Sequence, residues 1–466
     1  MRMTLPAGIQ EVLGVLQQNG YEAYVVGGCV RDSCMGIEPH DWDVCTSATP
    51  EEAKRCFSGY HIVQTGIRYG TVSVVIGEEL VEVTSFRKDG TYTDKRRPDE
   101  VTFIRDLRHD LARRDFTMNA LAYNSTSGLY DYFGGIKDIE EKKIRCVGEP
   151  DTRFFEDALR IMRALRFSAT LGFAIEEETA RSIHENCEWL GNVSPERLRT
   201  EISRLIIGKN AGQVLKDYSD VIGVYIPEIK PMIAFEQNSP YHSYTVWEHT
   251  VEAVCRAPDD VLVRLCVLFH DIGKPACYSL DENGIGHFFG HAKRGAQMAR
   301  EILERLRFDR RTIQMVTMAV LYHDVFIEPQ RRQVKRWLHR LGEEGLRLVL
   351  KVKMADVSAL AWAYRQERTQ MIAQVFACME EVIKEGECFC IRDLAVNGRD
   401  IMQEGVQPGP HVGRMLSELV QRVIDEGLLN EKETLMATVR EWIQNTQEMK
   451  TQEDGYEVCP LQQNDR

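Results

Sequence analysis

The sequence lacks any uninterrupted apolar run of the roughly eighteen residues that a membrane-spanning helix needs, which excludes a helical membrane protein. Its opening stretch, MRMTLPAGIQEVLGVLQQNG, alternates apolar and polar side chains at helical spacing and contains no apolar core of a secretory leader, so a cytoplasmic protein is expected. Neither GxGxxG nor GxxxxGKS/T occurs, which disfavours a dinucleotide fold and a P-loop. No internal repeat and no low-complexity tract is visible, which argues against a solenoid or propeller. A disulfide framework is missing too. The 13 cysteines are odd in number and scattered from Cys29 to Cys459, and their only close pair is Cys388 with Cys390. Nor is there an excess of positive charge: 58 Lys and Arg face 71 Asp and Glu, a net charge of -13, so the chain does not coat nucleic acid by bulk electrostatics.

What is present is a chain of 466 residues, 43% hydrophobic and 28% charged, long enough for about three domains. Its texture changes near Pro150. Before that point short β-type runs, AYVVGG, DWDVCT, GTVSVVIG and LVEVTSF, are interleaved with glycines behind one leading helix. After it, stretches such as FFEDALRIMRALRFSATLGF, PERLRTEISRLIIG and RLVLKVKMADVSALAWAY carry helical periodicity. The expected class is α+β: an N-terminal head over 1–150 with a small mixed sheet and helices, then all-α parts over 151–210, 211–380 and 381–445, and a disordered end at 446–466. Between Arg87 and Arg114 nine Lys and Arg face six Asp and Glu, and Arg153, Arg160, Arg163 and Arg166 follow. Any polyanion is therefore expected at the N-terminal third.

The segment AYVVGGCVRD passes from a strand through Gly27 and Gly28 into a helix carrying Arg31, and is followed by DWDV at 41–44. Residues two apart on a strand share a face, so Asp41 and Asp43 can converge, and their charges then repel unless a cation lies between them. A hard divalent ion such as Mg²⁺ suits that pair. Glycines ahead of the helix let backbone N–H groups approach phosphates.

RRDFTMNALAYN at 113–124 and RFFEDALRIMRALRF at 153–167 follow. The ordered set of GGCVRD, DWD, RRDFTMNALAYN, DYFGGIKDI, RFFEDALRIMRALRF and PERLRTE resembles the tRNA nucleotidyltransferases, the CCA-adding enzymes of the bacterial and eukaryotic class in the polymerase-β superfamily. The resemblance covers roughly residues 20 to 205. It implies a catalytic head (1–150), a nucleotide-templating neck (151–210), a body (211–380) and a tRNA-binding tail (381–445). It also implies tRNA, CTP and ATP as partners and Asp41 and Asp43 as catalytic Mg²⁺ ligands. By position it places Gly28 and Arg31 at the nucleotide, gives Arg114, Arg163 and Arg166 the triphosphate, and makes Asp157 and Arg160 the protein template. The template assignment has a chemical basis: cytosine and adenine each set an amino donor beside a ring acceptor, which an Asp acceptor beside an Arg donor complements. On a continuous helix Asp157, Arg160, Arg163 and Arg166 form one ridge. Asp115 and Asn119 can be a capped helix start bracing the sheet. The block from Phe86 to Phe103 is similar to the flexible loop of full CCA-adding members. Glu82, in LVEVTSF, is a candidate third carboxylate, or else an edge residue. The Gly-Pro loop at 405–413 can place backbone donors on sugar-phosphate oxygens, or merely connect helices.

A second constellation lies in the body. VRLCVLFHDIGKP sets His270 and Asp271 at the end of an apolar helix, with His249 upstream and His287, His291, His323 and Asp356 downstream. The pattern resembles the HD-type metal-dependent phosphohydrolases. That resemblance implies His249, His270, Asp271, His291, His323 and Asp356 as ligands of a transition metal (Mn, Ni, Fe or Zn), with His291 fitting better than His287. It implies a possible second activity on 2′,3′-cyclic phosphates or phosphate esters; a domain that has lost activity but kept its packing is the alternative. For the whole chain the other readings are an A-adding enzyme or poly(A) polymerase, and a non-catalytic RNA-binding protein.

Overall fold

The computed structural model describes residues 3–63, 70–77, 79–90 and 101–454 and divides into two compact units, Met1–Thr317 and Met318–Arg466. The expected loop block from Phe86 to Phe103 has its centre, 91–100, outside the described residues.

The first unit opens with α1 (Ala7–Gln18), β1 (Ala23–Val26), α2 (Gly28–Cys34), β2 (Asp43–Thr46), α3 (Pro50–Cys56), β3 (His61–Val63), β4 (Thr71–Ile76) and β5 (Glu79–Ser85). There follow β6 (Arg87–Asp89), β7 (Val101–Phe103), α4 (Leu107–Ala112), β8 (Leu121–Asn124), β9 (Gly128–Asp131) and α5 (Gly135–Glu140). Seven strands form one sheet in the order β3-β4-β5-β2-β1-β8-β9. All its pairs are antiparallel except β2 with β5, so the sheet is mixed, as expected. β6 and β7 make a separate hairpin. Side chains of β1 divide between two cores because strand residues alternate faces. Ala23 and Val25 pack with Val44, Val74, Val83 and the apolar side of α1, whereas Tyr24 and Val26 pack with Cys45, Phe86 and Leu111 of α4. At roughly 25 cal/mol per Å² of apolar surface buried, these two layers make the sheet a rigid base for the residues at its strand ends.

Beyond the head the first unit is helical: α6 (Pro150–Glu156), α7 (Leu159–Leu171), α8 (Glu177–Asn186), α9 (Pro195–Ile206), α10 (Ala211–Asp217), α11 (Ser219–Tyr225), α12 (Val246–Arg256), α13 (Val261–Phe269), α14 (His291–Arg305) and α15 (Arg310–Tyr322), which crosses into the second unit. The buried Arg264 of α13 donates to the carbonyls of Ile206 at 2.7 Å and Ala257 at 3.1 Å, tying α13 to the C-terminal end of α9.

One continuous helix carrying Asp157, Arg160, Arg163 and Arg166 is the expectation, and the structure corrects it. α6 stops at Glu156, Asp157 is extended (φ -147°, ψ 101°), and α7 starts at Leu159. The cause is local: the Asp157 carboxylate accepts from the Leu159 N–H at 3.1 Å, a bond that competes with helix continuation and caps the new helix.

The second unit contains α16 (Arg331–Ser358), α17 (Trp362–Lys384), α18 (Gly398–Gln403), α19 (Pro410–Asp425) and α20 (Lys432–Asp454). One core joins Val334, Leu338 and Leu350 to Val375 and Met379; another joins Ile401, Leu416 and Leu419 to Leu435 and Val439. The expected disordered end at 446–466 is revised in part. α20 continues to Asp454, since Gln, Glu, Met and Lys sustain a helix without an apolar face, and 455–466 lie outside the described residues. Among the described residues no helix is long and apolar enough to cross a membrane.

Candidate active site and metal centre

Gly27 ends β1 in a backbone conformation, φ 79° and ψ -131°, that side-chain-bearing residues rarely adopt, and turns the chain into α2 at Gly28. A Cβ on Gly27 would stand 3.0 Å from Nη1 of Arg114. The glycine thus admits a guanidinium to the sheet end. Asp43 is the first residue of β2, and Asp41 precedes it in extended chain rather than within the strand. Both line a cleft of about 1200 Å³, together with Glu82, His40, Ile37 and Leu80. Glu82 is the register partner of Asp43 on the parallel neighbour β5 and so lies on the same face of the sheet. The Asp43 carboxyl opens onto the cleft yet is recessed, and burial raises its pKa; Arg114 opposes that rise and Asp41 adds to it. A divalent cation between the two aspartates relieves both the burial and the repulsion, so these residues fit a hard metal ion.

Behind the carboxylates runs a continuous polar chain. Arg31, buried on α2, donates from Nη1 to Asn119 Oδ1 at 2.7 Å. Asn119 Nδ2 donates to Asp115 Oδ1 at 3.1 Å, and Arg163 Nε of α7 donates to Asp115 Oδ2 at 2.8 Å. Burial by itself would raise the Asp115 pKa, but Arg163 and Asn119 outweigh it and hold the group at about 2. Asp115 and Asn119 thus brace Arg31 against Arg163, linking α2 to α7. Arg166 Nε donates to Glu201 Oε2 of α9 at 2.6 Å. The guanidinium carbons of Arg31, Arg163 and Arg166 stand 5.0, 5.4 and 3.8 Å from the centre of the one Phe167 ring. Arg114 faces Asp110 Oδ2 at 3.5 Å, and its buried Nε has no hydrogen-bond partner among the described residues.

The expected template residues are held differently. Arg197 of α9 donates from Nη1 to Asp157 Oδ1 at 3.1 Å and from Nη2 to Oδ2 at 2.6 Å. Arg160 turns inward, with Nη1 to the Arg153 carbonyl at 3.0 Å and Nη2 to the Arg113 carbonyl at 2.9 Å, besides an ion pair to Glu156. Asp157 therefore does not continue the α7 ridge of Arg160, Arg163 and Arg166. Arg197 and Glu201 were missed by sequence reasoning, although both lie in the motif PERLRTE.

Further along the first unit, His249 on α12, His270 at the end of α13 and Asp271 are buried, with one ligand atom from each within 4.8 Å of the others. Nε2 of His249, His270 and His291 lie 3.7, 3.2 and 3.6 Å from Asp271 carboxylate oxygens. The other ring nitrogen settles the tautomer. Nδ1 of His270 meets the Val267 carbonyl at 2.6 Å and Nδ1 of His291 meets the Phe288 carbonyl at 2.8 Å. A carbonyl only accepts, so each Nδ1 carries a hydrogen, which leaves Nε2 as the ligand atom of the neutral ring on the carboxylate side. Imidazole nitrogens gathered about a carboxylate are a donor set that fits a transition metal. Lys274 Nζ, 2.7 Å from Asp271 Oδ2, supplies one positive charge there. His287 instead meets Asp281 at 3.1 Å, so His291 is the histidine brought to Asp271. His323 and Asp356 belong to the second unit; Nδ1 of His323 likewise meets a carbonyl three residues back, that of Val320, at 2.7 Å.

The family model "Poly A polymerase head domain" matches residues 23–145, "Probable RNA and SrmB- binding site of polymerase A" matches 172–220, and "tRNA nucleotidyltransferase domain 2" matches 282–439. The CCA-adding enzyme of Levilactobacillus brevis is 34% identical over 92% of this chain and 96% of its own, and that of Enterococcus faecalis is 32% identical over 93% and 96%. Among solved structures, the Bacillus stearothermophilus CCA-adding enzyme in complex with CTP is similar at a TM-score of 0.69 and 28% identity, over 95% of this chain and 100% of that one. The Thermotoga maritima CCA-adding enzyme complexed with tRNA shares the fold at a TM-score of 0.59 and 20% identity, over 93% and 94%. With the carboxylate cleft in place in the N-terminal sheet of such a chain, these likenesses establish that it belongs to the CCA-adding enzymes of the polymerase-β nucleotidyltransferase superfamily.

Proposed function

We infer that this protein adds CMP, CMP and AMP to the 3′ end of tRNA, completing and repairing the CCA terminus with CTP and ATP as donors. The observation that carries this reading is the cleft lined by Asp41, Asp43 and Glu82, with Arg114 opposing the rise in the Asp43 pKa. Membership of the family brings dependence on a divalent metal, which we assign as Mg²⁺ held by Asp41 and Asp43, with Glu82 the adjoining carboxylate. Bound there, the ion supplies charge neutralisation at the reacting phosphate. The chain's own residues position the partners. Gly28 and Arg31 at the start of α2, with Arg114, Arg163 and Arg166, hold the triphosphate, while Asp157 and Arg160 select the base. In each cycle the terminal ribose hydroxyl bonds to the α-phosphorus, the bond to the β-phosphate bridge breaks, and pyrophosphate leaves as the hydroxyl gives up its proton. We keep the division into head (1–150), neck (151–210), body (211–380) and tail (381–445) as functional parts, and place the protein in the cytoplasm, a location the free thiols among the described residues support. Offering tRNA truncated before the terminal trinucleotide with each nucleotide in turn, then sequencing products, tests the reading. Extension that ignores CTP or runs past three nucleotides would favour an A-adding enzyme or poly(A) polymerase.

The histidine cluster supports a second activity. We assign His249, His270, Asp271 and His291 to a transition-metal centre of the HD phosphohydrolase type, supported by the carbonyl contacts of His270 and His291 Nδ1. There water would add to phosphorus while the ester oxygen departs with the proton. Protein supplied with Mn²⁺ or Ni²⁺ should bind the metal, lose it in His270→Ala, and cleave 2′,3′-cyclic AMP; inertness toward cyclic and monoester phosphates would remove the activity.

A further inference from the structure

Phe167 is buried on α7, and the guanidinium carbons of Arg166, Arg31 and Arg163 lie 3.8, 5.0 and 5.4 Å from the centre of its ring. The three reach it by different routes. Arg163 stands one turn before Phe167 on α7, so the two side chains share a helix face. Arg166 is the immediate neighbour, and consecutive helix residues diverge by about 100°, so its side chain bends back to meet the ring. Arg31 comes from α2. A further contact fixes the ring itself: the buried Phe116 meets it edge to face, with planes 86° apart and centroids separated by 5.9 Å.

Burial alone does not call for an aromatic residue here. Leucine fills a core position equally well, as Leu165 does two residues earlier. Three positive charges within 5.4 Å of one point repel one another, and away from bulk water little of that repulsion is screened. Burial and the adjoining Arg163 lower the Arg166 pKa against the pull of Glu201. The face of a benzene ring carries negative quadrupole charge that attracts cations within about 6 Å, and guanidinium, planar and weakly hydrated, suits that face. A leucine offers no such attraction. The ring also leaves N–H donors free to point at phosphate oxygens, because it engages the guanidinium plane. We propose that Phe167 is a positioning residue for nucleotide binding: its π-face gathers Arg31, Arg163 and Arg166 into the arrangement that receives the triphosphate. This role rests on the triphosphate assignment made above and adds the group that keeps its three charges together beforehand. A set already gathered needs no ordering when the ligand binds, which favours association. The triphosphate is common to CTP and ATP, so the contribution is equal for both and absent from the choice of base.

The test replaces Phe167 in the full-length protein with mono-, di- and trifluorophenylalanine, which keep the shape of the ring while draining charge from its face. The dissociation constants of CTP and ATP, measured with Mg²⁺ by equilibrium dialysis, should rise stepwise with each fluorine, reaching roughly fivefold or more in the trifluoro protein. Both nucleotides should weaken by the same factor, and kcat and the preference for CTP over UTP should keep their wild-type values. Core packing alone produces no such progression, since the shape of the ring hardly changes. In parallel, Arg163→Gln should weaken both nucleotides at least as much; the Arg163 side chain is 34% exposed, so a glutamine there is solvated, and circular dichroism checks the fold. Dissociation constants that stay flat across the fluorine series while Arg163→Gln loses affinity overturn the role of Phe167 alone. Wild-type affinity in Arg163→Gln overturns the triphosphate assignment and the role of the ring with it.

Discussion

Arg197 grips Asp157 through both terminal guanidinium nitrogens, at 3.1 and 2.6 Å, across a gap of 40 residues in sequence. The fork sets the carboxylate at the α6–α7 break and leaves it one fixed orientation. Charge-assisted bonds of this kind contribute about 1.5–3 kcal/mol. Arg197→Ala should therefore lower the preference for CTP over UTP by roughly ten- to a hundredfold, with little change in tRNA affinity. Single-turnover incorporation of each nucleotide checks this. Arg160→Ala should relax the same choice, and unchanged selectivity in both variants would sink the template assignment.

Asp41→Ala and Asp43→Ala should each remove about 4 kcal/mol or more of transition-state stabilisation, a loss of roughly a thousandfold in turnover. Binding of tRNA, measured by filter retention, should persist. Glu82→Ala should fall between these variants and wild type, since Glu82 lies on the same face as Asp43 but on the next strand. Near-normal turnover in Asp43→Ala would refute the metal assignment.

Gly27→Ala combines a positive φ with a Cβ placed 3.0 Å from Arg114 Nη1. Strain of this sort costs about 1–3 kcal/mol. The variant should melt lower than wild type and show a raised KM for CTP, because Arg114 must move. Thermal unfolding with and without CTP separates the two effects. A wild-type KM would show that Arg114 has no part in holding the triphosphate.

The Asp115 carboxyl has a folded pKa near 2 against an ordinary value of 3.8. A depressed pKa means that the stabilisation is complete above the unfolded value and disappears as pH falls from about 4 to about 2. The shift corresponds to about 2.5 kcal/mol at neutral pH. Asp115→Asn should lose that amount at pH 7 and differ little from wild type at pH 2. Urea unfolding across this range measures the difference, and a stability gap independent of pH would contradict it.

Much of the head was legible because its chemistry is written in contiguous motifs. DWD does line one cleft, GGCVRD forms the turn from β1 into α2, and His291 and His287 meet different carboxylates, Asp271 and Asp281. The break at Asp157 was not legible, since a helix period runs unbroken through 153–167 and only the side-chain bond to Leu159 N–H interrupts it. Arg197 and Glu201 were hidden for a different reason. Their partners Asp157 and Arg166 are 40 and 35 residues away, a pairing that helical periodicity does not encode. Periodicity reports which face of a helix is buried, not which charge it meets.

The three guanidiniums around Phe167 have a consequence for how the enzyme meets its donor. Each already has a counter-ion from the protein: Asp32 for Arg31, Asp115 for Arg163 and Glu201 for Arg166. Arg31 and Arg166 are already buried in the fold, and Arg163 is partly so. On the proposed assignment of these arginines to the triphosphate, loading the nucleotide is an ion exchange in which phosphate oxygens replace resident carboxylates, and its affinity should respond only weakly to ionic strength.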